Sequence, residues 1–202
     1  MIRVKPRNGD RRFRLQRNGA CRFKACESDA RFTIERMSRF YSRAELIEQR
    51  RAWRQEGKIV VFTNGCYDIL HPGHIRLLER ARSLGDVLIL ALNTDSSVRR
   101  LKGPSRPFFS ESVRSELALH LEAVDATTLF DEDTPRELIA ALLPDALVKG
   151  ADWSHFVAGR EEVEAAGGQV LTLPLEPGYS TSNIADDVIA RYSPPSQSQQ
   201  TT

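Results

Sequence analysis

The sequence predicts an α/β fold in which about five parallel strands form a doubly wound sheet with helices on both faces. Three observations support it. Short runs rich in β-branched and aliphatic residues recur over residues 58–173. Segments with apolar residues at helical spacing separate those runs. The distinctive polar clusters each follow a predicted strand, as expected where parallel strands end at one edge of a sheet.

The predicted elements alternate along the chain. A first helix begins after Ser42 and ends at Gly57. Strands are predicted over 59–63, 87–92, 127–130, 146–148 and 169–173. Helices are predicted over 73–84, 110–122, 159–166 and 182–192. A short helix is predicted to end near Leu101, and another to begin at a Thr134–Glu137 capping box, with Pro135 at the first helical position, and to end before Pro144. Helices between strands predict right-handed crossovers and a parallel sheet.

Composition limits the class of protein. The chain has 202 residues, 41% hydrophobic and 7% aromatic, which is typical of one sizeable soluble domain. It lacks a run of ~18 apolar residues and an N-terminal apolar signal, so a cytoplasmic protein without membrane contact is predicted. Three cysteines, at 21, 26 and 66, form no paired framework, and neither disulfides nor a cysteine metal site is predicted.

The formal net charge of +2 is divided unevenly along the chain. Residues 1–36 carry eleven Lys and Arg against four Asp and Glu, whereas residues 37–202 carry eighteen against twenty-three. We expect 1–36 to be a disordered leader or to precede a true start at Met37. A nucleic-acid-binding arm and a transit peptide are the functional alternatives. Because no recognition helix or interleaved aromatics accompany the charges, no nucleic-acid partner is predicted.

The domain prediction therefore has four parts. The leader covers 1–36, an N-terminal helix covers 37–57, the main domain covers 58–192 and a disordered tail covers 193–202.

The most distinctive motif runs from Asp68 to His74, between the first strand of the main domain and the helix that follows. His71 and His74 are three residues apart and would lie on one face of the first helical turn. There the unpaired N–H groups and the helix dipole favour an anion. An H-x-G-H pattern should arise by chance about once in two hundred such chains. The alternative is that one imidazole caps the helix while the other faces solvent.

Other clusters could complete a site for triphosphate chemistry. Lys102 and Arg106 lie in a loop rich in glycine and proline, and the hydroxyls at 180–182 stand at a helix start. Asp68 could help hold Mg²⁺ or a phosphate-bound water, and Trp153 could stack on a ligand. A solvated loop, simple N-capping and a turn-forming aspartate are the corresponding structural alternatives.

Several ordered motifs over residues 58–191 resemble those of the D-glycero-β-D-manno-heptose 1-phosphate adenylyltransferases, a subgroup of the cytidylyltransferase-like nucleotidyltransferases. Besides Thr63–His74, the motifs are Asn93–Asp95, Arg100–Gly103 with Ser105–Pro107, Asp131–Pro135, Leu147–Gly150 with Asp152 and Trp153, and Ser180–Ile184. The resemblance implies a Rossmann-like nucleotidyltransferase fold. It also implies in-line attack of a sugar phosphate oxygen on the α-phosphorus of ATP, with Mg²⁺ bound to ATP and pyrophosphate leaving. The implied product is ADP-heptose for lipopolysaccharide core.

The resemblance also implies roles by motif position. The catalytic residues would be His71, His74 and Lys102. The nucleotide and phosphate contacts would be Thr63, Asn64, Gly65, Tyr67, Asp68, Gly73, Arg106, Arg114, Gly150, Asp152, Trp153, Ser180, Thr181 and Ser182. The acceptor contacts would be Asn93 and Asp95, and no protein-bound metal is predicted. The implied partners are ATP, a sugar phosphate, a second copy of the chain and a separate sugar kinase.

Two departures from the family pattern concern the substrate more than the reaction. Phe108-Phe109-Ser110 replaces an Asn-Pro-containing segment, and Ala151 stands where a second glycine is common. A cytidylyltransferase acting on glycerol 3-phosphate or another small phosphorylated acceptor is therefore the alternative function.

Overall fold

The computed structural model describes residues 38–151, 157–174 and 176–193. In these residues one sheet contains six parallel strands in the order β1-β4-β3-β2-β5-β6. The strands are β1 (Arg39–Phe40), β2 (Val60–Gly65), β3 (Val87–Asn93), β4 (Ala126–Phe130), β5 (Ala146–Gly150) and β6 (Gln169–Leu173). After β2 the chain extends the sheet towards β4, and then returns to add β5 on the other side of β2. The strand order therefore reverses between β2 and β5.

Seven helices connect or flank the strands among the described residues. They are α1 (Arg43–Gln55), α2 (Pro72–Arg82), α3 (Asp95–Lys102), α4 (Glu111–Leu119), α5 (Arg136–Leu142), α6 (Arg160–Ala165) and α7 (Thr181–Tyr192). None of the helices in the described part of the chain combines the length and the apolar character that a membrane span requires.

Two apolar layers form the core, one on each face of the sheet. On one face, α1, α5 and α6 contribute Trp53, Leu138 and Val163 against Phe62 and Ile89. On the other face, α2 and α4 contribute residues such as Leu78 and Ala118 against alternate residues of the same strands. All seven residues of β3 are buried, because both faces of a parallel strand are covered by helices.

The structure confirms the predicted doubly wound fold, with six strands where about five were predicted, and one local prediction is wrong. The short strand β1 was not predicted, because two residues are too few to show a pattern. The capping box proposed at Thr134–Glu137 is wrong: Pro135 is the N-cap residue of α5 and makes no side-chain capping bond. A capping box occurs instead at α1, where Ser42 and Glu45 bond each other's backbone N–H groups.

The predictions for the two ends of the chain lie outside the described residues. The leader (1–36) and Met37 are not described, nor is the predicted tail beyond Ser193. The disorder proposed for these segments stays a prediction.

Candidate active site

The predicted site residues that the structure describes lie near the carboxyl ends of the central strands. β2 leads into the motif that contains His71 and His74, β3 ends at Asn93, and β5 ends at Gly150. β2 lies between β3 and β5, so the three strand ends are neighbours. They flank the reversal of strand order, which is the usual position of a ligand on a doubly wound sheet.

His71 and His74 stack on each other at the start of α2. Their ring centroids are 3.7 Å apart and their planes differ by 16°. His71 is the N-cap residue, and its Nδ1 accepts a hydrogen bond from the backbone N–H of His74 at 3.3 Å. Because Nδ1 is an acceptor, neutral His71 carries its proton on Nε2. The Nε2–H group is therefore the donor that His71 can offer to a ligand.

Both imidazoles are neutral at pH 7. Burial lowers the pKa of His71 below its usual range. The pKa of His74 falls to about 4, chiefly because the ring is buried and secondly because a charged His71 would repel it. Neutral rings retain one N–H each, so the pair is suited to donating hydrogen bonds to phosphate oxygens.

Two glycines leave space for aromatic rings at the site. A Cβ atom on Gly73 would lie 3.1 Å from His71 Nδ1. A Cβ atom on Gly65 would lie 3.0 Å from Cε2 of Tyr67, whose ring centroid is 4.7 Å from that of His74. Gly73 therefore leaves space for the His71 ring, and Gly65 leaves space for the Tyr67 ring that lies beside His74.

Asp68 holds the loop of residues 103–110 beside the histidines. Its Oδ2 accepts a hydrogen bond from Nε of Arg106 at 2.5 Å, and its Oδ1 accepts from the backbone N–H groups of Phe108 and Phe109 at 2.7 and 3.1 Å. Asp68 is 1% exposed. Its carboxylate is thus engaged by donors of the chain itself.

The two predicted phosphate-binding cations have different environments. Lys102, at the end of α3, is exposed and forms no ion pair with another described residue. Burial raises the pKa of the Cys66 thiol, and the charge of Lys102 opposes this increase, so Lys102 lies near the motif loop. The Arg106 side chain is 15% exposed, and its guanidinium carbon lies 4.8 Å from the centroid of the Phe108 ring.

Arg114 is buried among four oxygens of the chain. Its Nη1 donates to the carbonyl of Cys66 at 2.7 Å, and its Nη2 donates to the carbonyl of Asn93 at 2.8 Å and to Oδ1 of Asp95 at 2.9 Å. Its Nε donates to the carbonyl of Phe109 at 3.0 Å. Arg114 therefore joins the loop after β2, the end of β3 and the segment before α4.

The two predicted acceptor-binding residues lie at the end of β3. Asn93 is 4% exposed and donates from Nδ2 to Oγ of Ser97 at 3.0 Å. The Asp95 side chain is 22% exposed and is the more accessible of the two.

The hydroxyl cluster at the start of α7 reaches the histidine motif. Thr181 Oγ1 donates to the carbonyl of Ile69 at 3.5 Å. Ser180 is the N-cap residue, and its Oγ accepts from the backbone N–H of Asn183 at 3.0 Å. Ser182 is exposed. The helix cap explains Ser180, whereas Thr181 connects the two segments.

Lys149 and Tyr179 received no role from the sequence, and both lie at the site. Lys149 Nζ donates to Oδ1 of the predicted residue Asn64, so β5 and β2 are linked at their ends. The Tyr179 ring lies 6.2 Å from the His71 ring, with planes 19° apart. Lys149 directly precedes Gly150, which was predicted to lie at the site, so its place in the sequence could have identified it. No signal in the sequence places Tyr179 against His71.

The remaining predicted residues have simpler positions. Thr63 is buried within β2 and its side chain bonds that of Tyr67, while Gly150 is buried at the end of β5. Asp152 and Trp153 lie outside the described residues, so their nucleotide contacts stay predictions.

Comparison with known proteins identifies the family of this site. The family model described as cytidylyltransferase-like matches residues 62–186. The bifunctional protein HldE of Syntrophotalea carbinolica is 47% identical over 167 residues, which are 82% of this chain and 34% of that protein. The HldE protein of Trichlorobacter lovleyi is 51% identical over 77% of this chain and 32% of that protein. The HldE protein of Azorhizobium caulinodans is 54% identical over 66% of this chain and 28% of that protein.

This chain thus spans about a third of the length of the curated relatives that it matches. Among solved structures, it resembles the lipopolysaccharide core biosynthesis protein from Thermoplasma volcanium, with 29% identity and a TM-score of 0.50. That likeness covers 59% of this chain and 98% of the other.

Proposed function

The chain belongs to the cytidylyltransferase-like family, and on that premise we propose that it transfers AMP from ATP to a sugar 1-phosphate with release of pyrophosphate. The proposed acceptor is D-glycero-β-D-manno-heptose 1-phosphate, and the product is ADP-heptose. The observation that carries the proposal is the stacked, neutral pair His71 and His74 at the start of α2. It lies where nucleotides bind to such sheets.

The proposed reaction is a direct displacement at the α-phosphorus. An oxygen of the sugar phosphate forms a bond to the α-phosphorus of ATP, and the bond from that phosphorus to the bridging oxygen of pyrophosphate breaks. The imidazole N–H groups donate to the non-bridging α-phosphate oxygens, whose negative charge develops in the transition state. Lys102 and Arg106 neutralise the departing pyrophosphate, and the α7 hydroxyls bind its oxygens.

Mg²⁺ would enter this reaction bound to the phosphates of ATP. Among the described residues, no group of three or more His, Cys, Asp or Glu side chains could hold a metal ion, and Asp68 is engaged by the loop. Mg²⁺ commonly retains waters and binds substrate phosphates with few protein ligands. Its contribution when bound is to reduce the negative charge of the triphosphate.

The choice of acceptor rests on the motifs and on the relatives. The motif resemblance points to heptose 1-phosphate, and one structural relative is described as a lipopolysaccharide core biosynthesis protein. Asp95 is the proposed acceptor contact. A sugar kinase activity would supply the 1-phosphate, the reaction would occur in the cytoplasm, and a second copy of the chain is a proposed partner.

Pyrophosphate release from the purified protein tests the proposal. ATP, CTP, GTP and UTP are each combined with heptose 1-phosphate, glycerol 3-phosphate and phosphoethanolamine. We expect turnover with ATP and heptose 1-phosphate, and mass spectrometry should detect ADP-heptose. Turnover with CTP but not ATP would contradict the assignment of nucleotide and acceptor.

A further inference from the structure

Asp68 is buried at the junction between the histidine motif and the 103–110 loop. Its carboxylate accepts from the Nε of Arg106 and from two backbone N–H groups, at Phe108 and Phe109. The Asp68 side chain is 0% exposed, whereas that of Arg106 is 15% exposed. One buried carboxylate therefore holds both the backbone of the loop and the cation that the loop carries.

The bond to Asp68 fixes the direction of the Arg106 guanidinium. A guanidinium has five N–H donors in one plane. Because Nε is bonded to Asp68, the two Nη groups, with the other four donors, remain at the end of the side chain. Among the described residues, Asp68 is the ion-pair partner of Arg106, and the contact is made through Nε. The N–H groups of the two Nη atoms can contact two oxygens of a phosphate at once.

We propose that Asp68 is a positioning residue that aligns Arg106 for binding the pyrophosphate half of the nucleotide, rather than a ligand of Mg²⁺. The inference rests on the proposed function, because it assigns Arg106 to the nucleotide. Glycine and two prolines leave the 103–107 segment with few bonds of its own. Without Asp68, binding must therefore order the loop as well as the ligand.

The test is a double-mutant cycle between Asp68→Asn and Arg106→Gln. The dissociation constants for ATP and for pyrophosphate are measured by calorimetry, and kcat/KM is measured by pyrophosphate release. We expect each single substitution to weaken pyrophosphate binding about tenfold or more, since misplacement by about 1 Å can cost about a hundredfold in rate. We expect Asp68→Asn to cost less than about threefold when Arg106 is already Gln, because the two residues act together.

Two further variants separate positioning from charge and from folding. Arg106→Lys keeps the positive charge but removes the Nε–H bond to Asp68, and we expect it to lose about as much affinity as Asp68→Asn. Asp145→Asn is the matched control. Asp145 also accepts from an arginine, Arg50, and from a backbone N–H, that of Val60, at the other end of β2. We expect it to lower the melting temperature while pyrophosphate affinity stays within about twofold.

Three results would overturn the proposal. The first is that the losses of pyrophosphate affinity from Asp68→Asn and Arg106→Gln multiply in the double variant, and the second is that Arg106→Lys keeps full pyrophosphate affinity. The third is that Asp68→Asn needs about tenfold more Mg²⁺ for activity at saturating ATP. The last would identify Asp68 as a metal ligand. If the wild-type protein binds ATP and pyrophosphate but uses no sugar phosphate, the proposed acceptor fails, whereas the binding cycle still decides the role of Asp68.

Discussion

Two aspartate–arginine pairs lie at opposite ends of β2 and have opposite exposures. At the amino end, the Arg50 side chain is 4% exposed and that of its partner Asp145 is 42% exposed. At the carboxyl end, Asp68 is fully buried and Arg106 reaches the surface. In each pair the aspartate also accepts at least one backbone N–H.

The exposed partner determines what each pair can do. At the amino end the positive group is enclosed, and Arg50 Nη2 is engaged by the Leu143 carbonyl as well as by Asp145, so the pair joins α1 to the sheet. At the carboxyl end the negative group is enclosed and the positive group is offered outwards. The same ion pair is thus structural in one orientation and suited to an anionic ligand in the other.

The largest expected effect lies at the carboxyl end, in the histidine pair. His74→Ala and His71→Ala each remove a donor that the proposed mechanism assigns to the α-phosphate, and we expect kcat to fall about 10²–10³-fold. The measurement is steady-state pyrophosphate release. His120→Ala is the control, because His120 is exposed and its Nδ1 contacts only the Glu116 carbonyl among the described residues. Equal losses in all three variants would mean that the pair has no special role.

The position of the candidate site could be predicted from the sequence, whereas the contacts that support it could not. His71 and His74 could be predicted because their spacing and the flanking strand and helix are local features. The partners of Asp68 and Arg114 could not, because Arg106 and the Asn93 carbonyl meet them only when the loop and β3 are folded onto β2. A buried aspartate and a turn-forming aspartate leave the same sequence pattern.

The fold shows the same division between local and distant information. Strands β2 to β6 each contain at least three apolar residues and could be predicted to within a few residues, since a short apolar run between turn residues is a local signal for a strand. β1 could not be predicted, because its two residues are defined by pairing with Ala126 and Thr127 far along the chain.

The next expected effect is on stability, and it comes from the partly buried His74 at the carboxyl end of β2. The pKa of His74 is about 4 in the folded protein and near 6.5 in the unfolded chain. Between these values the unfolded chain binds more protons, so the free energy of unfolding falls as pH falls. We expect His74 to account for a loss of about 2 kcal/mol between pH 7 and pH 5.

Thermal and urea unfolding at both pH values measure this loss. Between pH 7 and pH 5 we expect the free energy of unfolding of His74→Gln to fall by about 2 kcal/mol less than that of the wild type. His120→Gln should lose as much as the wild type. If His74→Gln loses as much stability as the wild type on acidification, burial of this imidazole is not the cause.

A smaller effect contrasts the glycines near the two ends of α2. A Cβ on Gly85, just after the helix, would lie 2.7 Å from the Ile59 carbonyl oxygen, so the backbone must move. We expect Gly85→Ala to lower the free energy of unfolding by about 1–3 kcal/mol with kcat unchanged for the folded fraction. A Cβ on Gly73 would press on His71 Nδ1 instead. We expect Gly73→Ala to reduce kcat about tenfold with little change in stability.

Urea denaturation and pyrophosphate release, measured on both alanine variants, decide this contrast. A loss of kcat in Gly85→Ala, or a large loss of stability in Gly73→Ala, would mean that the two ends of α2 are not functionally separate.

The smallest expected effect is on the KM for ATP. It tests whether the whole carboxyl edge of the sheet contributes to activity or only the part around β2. Ser42 caps α1 just after β1, and Ser110 caps α4 at the end of the 103–110 loop. β1 is three strands from β2, a distance of about 14 Å. Each Ser→Ala substitution should cost about 1 kcal/mol of stability. Only Ser110→Ala should raise the KM for ATP, because its helix carries Arg114 and its loop carries Arg106. Equal KM changes in both variants would extend the functional region to the far edge of the sheet.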